Sequence, residues 1–80
     1  MNPGEWYKQF GSAMNTTYYE LLEIIGEEML RVEVFEYNEA LQKVLRQEVK
    51  LFSVKEWMEE LLKNNLYQIS REQVPFIMPV

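Results

Sequence analysis

The sequence predicts a small α+β domain: an antiparallel meander of about three strands, with a short fourth, and one amphipathic helix packed on it. Apolar and polar residues alternate from Leu30 to Tyr37, which is the two-residue period of a strand. Apolar residues at helical spacing follow Ser53. A chain of 80 residues with 48% hydrophobic residues can bury one modest core. We expect a short aromatic helix to precede the meander.

That N-terminal helix is expected within the first ten residues. Asn2 is placed as its N-cap, Pro3 occupies the first helical position, and Glu5 can return a capping-box hydrogen bond. Gly11 is expected to end the helix in the left-handed conformation. Its aromatic face would consist of Trp6, Tyr7 and Phe10. Because so short a helix is unstable alone, we expect it to dock onto the rest of the domain.

The stretch from Gly11 to Met14 has a second interpretation. Gly-Ser-Ala followed by Met is typical of an engineered junction in front of a start codon. Residues 1–13 would then be a fused peptide and its junction, held at high effective concentration beside a single α+β domain at 14–80. The alternative is an ordinary N-terminal helix that caps the core, and the sequence leaves both open.

Three strands are predicted near residues 17–25, 29–37 and 42–52. The middle strand has the clearest alternation. The first stretch also fits a helix, because its apolar residues recur about every three positions. The third has a competing helical interpretation from Glu39 to Phe52 for the same reason.

Charge favours the meander over these helical alternatives. Residues 17–39 contain seven Glu and one Arg, whereas residues 40–55 contain four Lys or Arg and one Glu. Opposite charges on neighbouring strands stabilise their pairing. We therefore predict that the second and third strands lie side by side.

The best-defined helix is predicted at 54–64. Ser53 can accept a hydrogen bond as N-cap, and the Asn64-Asn65 pair is typical of a helix C-terminus. After a short last strand around residues 66–69, Pro75 and Pro79 exclude the tail from helix and from a central strand. Phe76 and Met78 make this tail too apolar to be free, so we expect it to cover the core or to pair with another chain.

Composition argues against catalysis and metal binding. The chain has no Cys, His or Asp, which removes the usual ligands of zinc, haem, iron–sulfur and EF-hand calcium sites. We expect no enzyme and no cofactor. A formal charge of −5 makes direct binding to nucleic acid improbable, and no apolar run reaches the length of a membrane span. The absence of cysteine fits a cytoplasmic location.

The sequence therefore predicts a non-catalytic protein-binding module: a small acidic adaptor, assembly factor or inhibitor. It would engage a short aromatic peptide or helix, or its own residues 1–10, in an apolar groove between the sheet and the helix that follows Ser53. Core packing is the commoner role for an aromatic such as Trp57. The candidate partner-binding residues are Trp6, Tyr7, Phe10, Trp57, Phe76 and Met78.

Two further interpretations stay open. The Glu-rich stretch from Glu20 to Glu36 could imitate a phosphate backbone, which would make the chain an inhibitor of a nucleic-acid-binding protein, of the kind that mobile elements produce. The chain could also form a homodimer through an edge strand or by exchange of the N-terminal helix.

Overall fold

The computed structural model describes residues 1–11 and 14–77. Within them the chain forms one antiparallel sheet of five strands in the order β4-β3-β2-β1-β5, with a single α-helix. The α+β class is confirmed, with five strands rather than three or four. The elements in chain order are β1 (Trp6–Phe10), β2 (Asn15–Ile25), β3 (Met29–Asn38), β4 (Lys43–Ser53), α1 (Val54–Leu62), β5 (Tyr67–Ile69) and a 3-10 turn (Arg71–Gln73).

The predicted N-terminal aromatic helix is wrong, because Trp6–Phe10 form strand β1. Residues Asn2 to Glu5 form a tight turn in which the Glu5 N–H donates to the Asn2 carbonyl at 3.2 Å. Gly4 has φ +92°, which suits the third position of a Pro-Gly turn. The Asn2 N–H does donate to Glu5 Oε1 at 2.8 Å, as a capping box requires, but the bond closes a turn instead of opening a helix.

Gly11 also has a role different from the predicted helix stop. A Cβ at Gly11 would lie 2.8 Å from the Asn15 carbonyl oxygen, too close for any other residue without backbone movement. The Gly11 N–H donates to that oxygen at 3.1 Å. Glycine therefore permits the close approach of the chain where β1 leads into β2.

The strand interpretations of β2 and β4 are confirmed, and the helical alternatives are excluded. β1 is paired on both sides, with β2 and with β5. β3 pairs with β4 as predicted from charge, and Glu36 lies opposite Arg46 in this register. β2 pairs with β3 as the predicted meander requires. The register shifts between Leu21 and Glu23 on β2 and beside Glu36 and Tyr37 on β3.

Neighbouring residues of each strand contribute to two separate cores, one on each face of the sheet. The face that packs against α1, here called the helix face, carries Tyr7, Leu21, Leu30, Val32 and Val34. The opposite face carries Trp6, Tyr18, Phe35 and Tyr37. The alternation of side chains along a strand explains why the adjacent Trp6 and Tyr7 belong to different cores.

Helix α1 crosses the helix face, because it joins β4 at one edge of the sheet to β5 at the other. Ser53 Oγ accepts the Glu56 N–H at 3.0 Å and caps the helix as predicted. The helix ends at Leu62, two residues before the predicted end, and Asn64 follows in the left-handed conformation with φ +58°. Trp57 is the residue of α1 that is buried.

The opposite face is covered by the C-terminal segment, residues 70–77. The Ser70 N–H donates to Gln73 Oε1 at 2.8 Å, which closes the 3-10 turn. Val74 is buried, and the half-buried Phe76 and Ile77 pack on the same core. Thus the predicted tail covers a core, at least through residue 77.

Candidate functional site

A groove of about 360 Å³ lies between α1 and the helix face, at the place where the sequence predicted one. Strands β1, β2 and β4 supply one wall, while α1 and the segment that follows it supply the other. We call this site the helix–sheet groove. Its floor consists of Tyr19, Phe52, Trp57 and Leu66, and its rim consists of Gln9, Glu56, Glu59 and Glu60.

The floor is an aromatic cluster with fixed geometry. The Trp57 ring lies 5.4 Å from the ring centroids of Tyr19 and Phe52, and it meets Tyr19 edge to face at 89°. The Tyr19 hydroxyl donates to Gln9 Oε1 at 2.7 Å, which fixes its ring at the side of the groove. Such a floor offers ring faces and edges to an apolar or aromatic side chain.

Trp57 contributes to the core and to the groove at once. It is only 3% exposed and packs with Tyr7 edge to face at 5.2 Å between ring centroids. Its indole Nε1 is buried and has no hydrogen-bond partner among the described residues. An unpaired buried donor costs roughly 1 to 3 kcal/mol, so the stabilising contribution of Trp57 comes from its apolar and aromatic packing.

The rim is acidic, and its carboxylates form no salt bridge with the described residues. Glu56, Glu59 and Glu60 belong to consecutive turns of α1, and in the described parts of the chain no Lys or Arg lies within salt-bridge distance of them. Glu59 and Lys63 lie one helical turn apart, but their side chains do not form a salt bridge. The rim therefore carries uncompensated negative charge above an aromatic floor.

Two tyrosines near the groove have perturbed acidity. Burial raises the pKa of Tyr19, and the negative charge of Glu60 adds to this effect. Burial also raises the pKa of Tyr7 to about 12, and its hydroxyl donates to Glu5 Oε1 at 2.9 Å. Both phenols stay neutral over the physiological range and act as hydrogen-bond donors.

The structure does not bring the six sequence-predicted partner residues together. Trp6 and Tyr7 are buried on opposite faces of β1, so neither presents a free surface. Phe10 is 67% exposed at the end of β1, beside Tyr67 and with Lys8 Nζ 4.7 Å above its ring. Of the five that the structure describes, Trp57 is the one that lines the helix–sheet groove.

Phe76, the predicted tail residue that the structure describes, belongs to the opposite face. The Phe76 ring lies 4.9 Å from the Phe35 ring and 5.4 Å from the Tyr18 ring, so it packs as part of the opposite core. Met78 lies outside the described residues. A second cleft, of about 460 Å³, is bounded by Phe76 and Ile77 together with Trp6, Glu20 and Arg71. Because its wall is formed by the last described residues, we place no site there.

The Glu-rich stretch does not form one surface. Glu20 and Glu33 face each other on the opposite face, Glu36 lies on the helix face beside Tyr19, and Glu27 and Glu28 lie in the turn between β2 and β3. Burial raises the pKa of Glu20, the charge of Glu33 raises it further, and Arg71 opposes the shift. An extended row of carboxylates, as a phosphate mimic would present, is not found in residues 20–36.

Sequence reasoning missed most of the groove. Tyr19 and Phe52 fall within the predicted strands 17–25 and 42–52, but the sequence does not indicate which face of the sheet they occupy. The signal for the rim was present in the spacing of Glu56, Glu59 and Glu60, which follows one side of a helix.

Comparison with protein-family models, curated proteins and solved structures gave no significant match. In the described ranges, no group of three or more acidic residues is arranged to hold a metal ion. No helix found there is long and apolar enough to cross a membrane. The functional argument therefore rests on the geometry of this chain alone.

Proposed function

We propose that this chain is a non-catalytic protein-binding module that takes a short segment of another protein into the helix–sheet groove. The observation that carries the proposal is the combination of an aromatic floor with an uncompensated acidic rim in one groove. Peptide sites of this kind combine an apolar pocket that supplies affinity with polar groups at its border that supply orientation.

The floor and the rim of the groove favour different side chains in the bound segment. Tyr19, Phe52 and Trp57 favour an aromatic or long apolar side chain, which gains edge-to-face contacts as well as burial. Glu56, Glu59 and Glu60 favour Lys or Arg next to that side chain, because opposite charges accelerate encounter and fix the register of binding. The proposed ligand is therefore an aromatic residue flanked by basic residues.

The chain's own residues 1–10 are a poor occupant of this groove. Residues 6–10 form β1 with hydrogen-bonded neighbours on both sides, and Trp6 points into the core on the opposite face. The origin of residues 1–13 stays a prediction. A segment from a second protein is the occupant that we propose.

The test is a titration of the full chain, labelled with ¹⁵N, with two synthetic peptides of equal length. One carries a single Phe between lysines and the other the same Phe between glutamates. We expect the lysine peptide to shift the amide signals of α1 and those of residues near Tyr19 and Phe52, and to bind at least about tenfold more tightly than the glutamate peptide.

A double variant with a matched control locates the binding. E59K/E60K should weaken the lysine peptide at least about tenfold, because it reverses two charges of the rim. E27K/E28K makes the same change in net charge at the turn between β2 and β3, and it should bind nearly as the unmodified chain does. Equal weakening by both double variants, or no binding of either peptide, would contradict the proposal.

A further inference from the structure

The outer edge of β4 is the longest unpaired backbone edge of the described sheet. β4 has eleven residues and pairs only with β3, whereas the opposite edge is the three-residue β5. An edge strand of this length presents a row of free N–H and C=O groups that can pair with another chain. Val49 and Leu51 on β4 are 52% and 60% exposed.

One part of β4 is regular enough to pair over several residues. The register with β3 shifts next to Val44, but from Arg46, opposite Glu36, to Phe52, opposite Leu30, the pairing is continuous. Within this stretch Gln47, Val49 and Leu51 lie on the opposite face, and the alternate residues lie on the helix face. The pairing continues to Ser53, opposite Met29, but Ser53 also caps α1. The remaining regular part, residues 46–52, has Val49 at its centre.

Charge excludes two of the ways in which two such edges can meet. A two-fold axis perpendicular to the sheet pairs the strands antiparallel and keeps each face continuous, so paired residues come from the same face. Centred on Glu48, the pairing would oppose Glu48 to Glu48 and Arg46 to Lys50. Centred on Lys50, it would oppose two lysines. Like charges directly opposite each other are destabilising.

Centred on Val49, the same pairing is complementary. Within one chain, Glu48 Oε1 already lies 3.1 Å from Lys50 Nζ. In this register Glu48 also lies opposite Lys50 of the second copy, and the symmetry produces this pair twice, so each charge has a partner of opposite sign on both chains. Val49 meets Val49, Leu51 meets Gln47, and Arg46 meets the ring of Phe52. This register also uses every residue of the regular part, 46–52, and leaves out the shifted residues before Arg46.

We infer that a second copy of this chain docks on β4, antiparallel and centred on Val49, so that two sheets join into one continuous sheet of ten strands. The occupant is argued from the charge complementarity of β4 with itself. The inference is independent of the helix–sheet groove, because the paired edge lies outside the residues that form the groove floor and rim, apart from Phe52.

The test measures the molar mass of the full chain by sedimentation or light scattering over a range of concentrations up to millimolar. The chain should form dimers. E48K and K50E each oppose like charges at both ends of the pairing, and each should weaken dimerisation at least about tenfold. An equimolar mixture of the two variants should restore it, because the mixed dimer again pairs Lys with Glu at both positions.

Two controls make the result specific to β4. E27K and K55E produce the same net charges at exposed positions away from this edge, and they should dimerise as the unmodified chain does. Because Glu48 and Lys50 are exposed, we expect every variant to remain folded, and amide spectra would check this. A chain that stays monomeric at millimolar concentration would overturn the inference. Dimers that E48K and K50E leave unchanged would overturn it too.

Discussion

The two faces of the sheet are covered by different kinds of structure. On the helix face, α1 satisfies its own backbone hydrogen bonds, is capped by Ser53, and buries one large side chain, Trp57. On the opposite face, residues 70–77 contain one 3-10 turn and depend on Val74 and Phe76 for attachment. The comparison shows that one cover has local structure of its own, whereas the other is held mainly by side-chain packing.

Strand β1 connects these two covers. It lies between β2 and β5, and its adjacent residues Trp6 and Tyr7 enter the opposite and the helix-face cores, respectively. Trp6 contacts Phe76 at 6.0 Å between ring centroids, while Tyr7 contacts Trp57 at 5.2 Å. A substitution that weakens either cover therefore also removes packing contacts from strand β1.

The largest expected effect comes from truncating the main anchor of each cover. Trp57→Ala should lower the free energy of unfolding by about 3 to 5 kcal/mol, because it removes an almost fully buried indole ring from the helix-face core. Phe76→Ala should lower it by about 1 to 2 kcal/mol, because Phe76 is only half-buried. Urea unfolding of both variants measures the difference. Equal losses would show that the tail is as important to stability as the helix.

The sequence predicted the elements in which apolar residues recur with one clear period, either that of a strand or that of a helix. The alternation in β3 and the capped apolar face of α1 are local signals, and both elements are present. β2 was ambiguous because Tyr18 and Tyr19 are both apolar, and the structure explains this by placing them in different cores. A strand covered on both faces has no polar side to reveal its period.

The prediction of an N-terminal helix was wrong because strand pairing of residues 6–10 outweighed the helix-capping pattern of Asn2 and Glu5. Asn2 and Glu5 do form the bond of a capping box, but the Pro-Gly dipeptide between them is a stronger turn signal. The aromatic residues that follow favour a strand once β2 and β5 offer hydrogen bonds on both sides. No local pattern in residues 1–10 indicates that they pair with β5, which lies far from them in the sequence.

The candidate site was only partly predictable for a related reason. A groove between the sheet and the helix follows from laying a helix across a twisted sheet, and the sequence could place it. Its lining depends on which face of β2 and β4 turns towards α1, and that register is set by long-range pairing. Tyr19 and Phe52 were therefore missed, although Trp57 was named.

A smaller effect compares the two serines that begin the covering elements. Ser53→Ala removes the acceptor of the Glu56 N–H and should cost about 1 kcal/mol. Ser70→Ala should cost less than about 0.5 kcal/mol, because it removes only an exposed 3.2 Å hydrogen bond from the hydroxyl to Gln73 Oε1, while the shorter bond from the residue 70 backbone N–H to the same oxygen remains. Thermal unfolding of both variants tests this order. A larger loss from Ser70→Ala would mean that the 3-10 turn holds the tail more strongly than packing does.

The smallest expected effect concerns the pH dependence of stability, to which the carboxylates of Glu5 and Glu20 contribute in opposite directions. A backbone hydrogen bond from Asn2 lowers the pKa of Glu5 below its ordinary value of 4.5, so ionised Glu5 stabilises the fold above that pH. Its contribution is lost as the pH falls through the lowered pKa. Burial raises the pKa of Glu20, so the fold holds the Glu20 proton more tightly than the unfolded chain does. Ionised Glu20 therefore opposes folding at neutral pH, and acidification towards 4.5 relieves that cost.

The corresponding glutamines should change stability in opposite directions. Glu5→Gln should destabilise the protein at about pH 7, and its difference from the unmodified chain should shrink at about pH 3. Glu20→Gln should stabilise it at about pH 7, and this advantage should vanish at low pH, where both chains are neutral at position 20. Urea unfolding at the two pH values measures both trends. If Glu20→Gln destabilises at pH 7, the Glu20 carboxylate is held by Arg71 more strongly than burial and Glu33 disfavour it, and the opposite face is then fixed by charge as well as by aromatic packing.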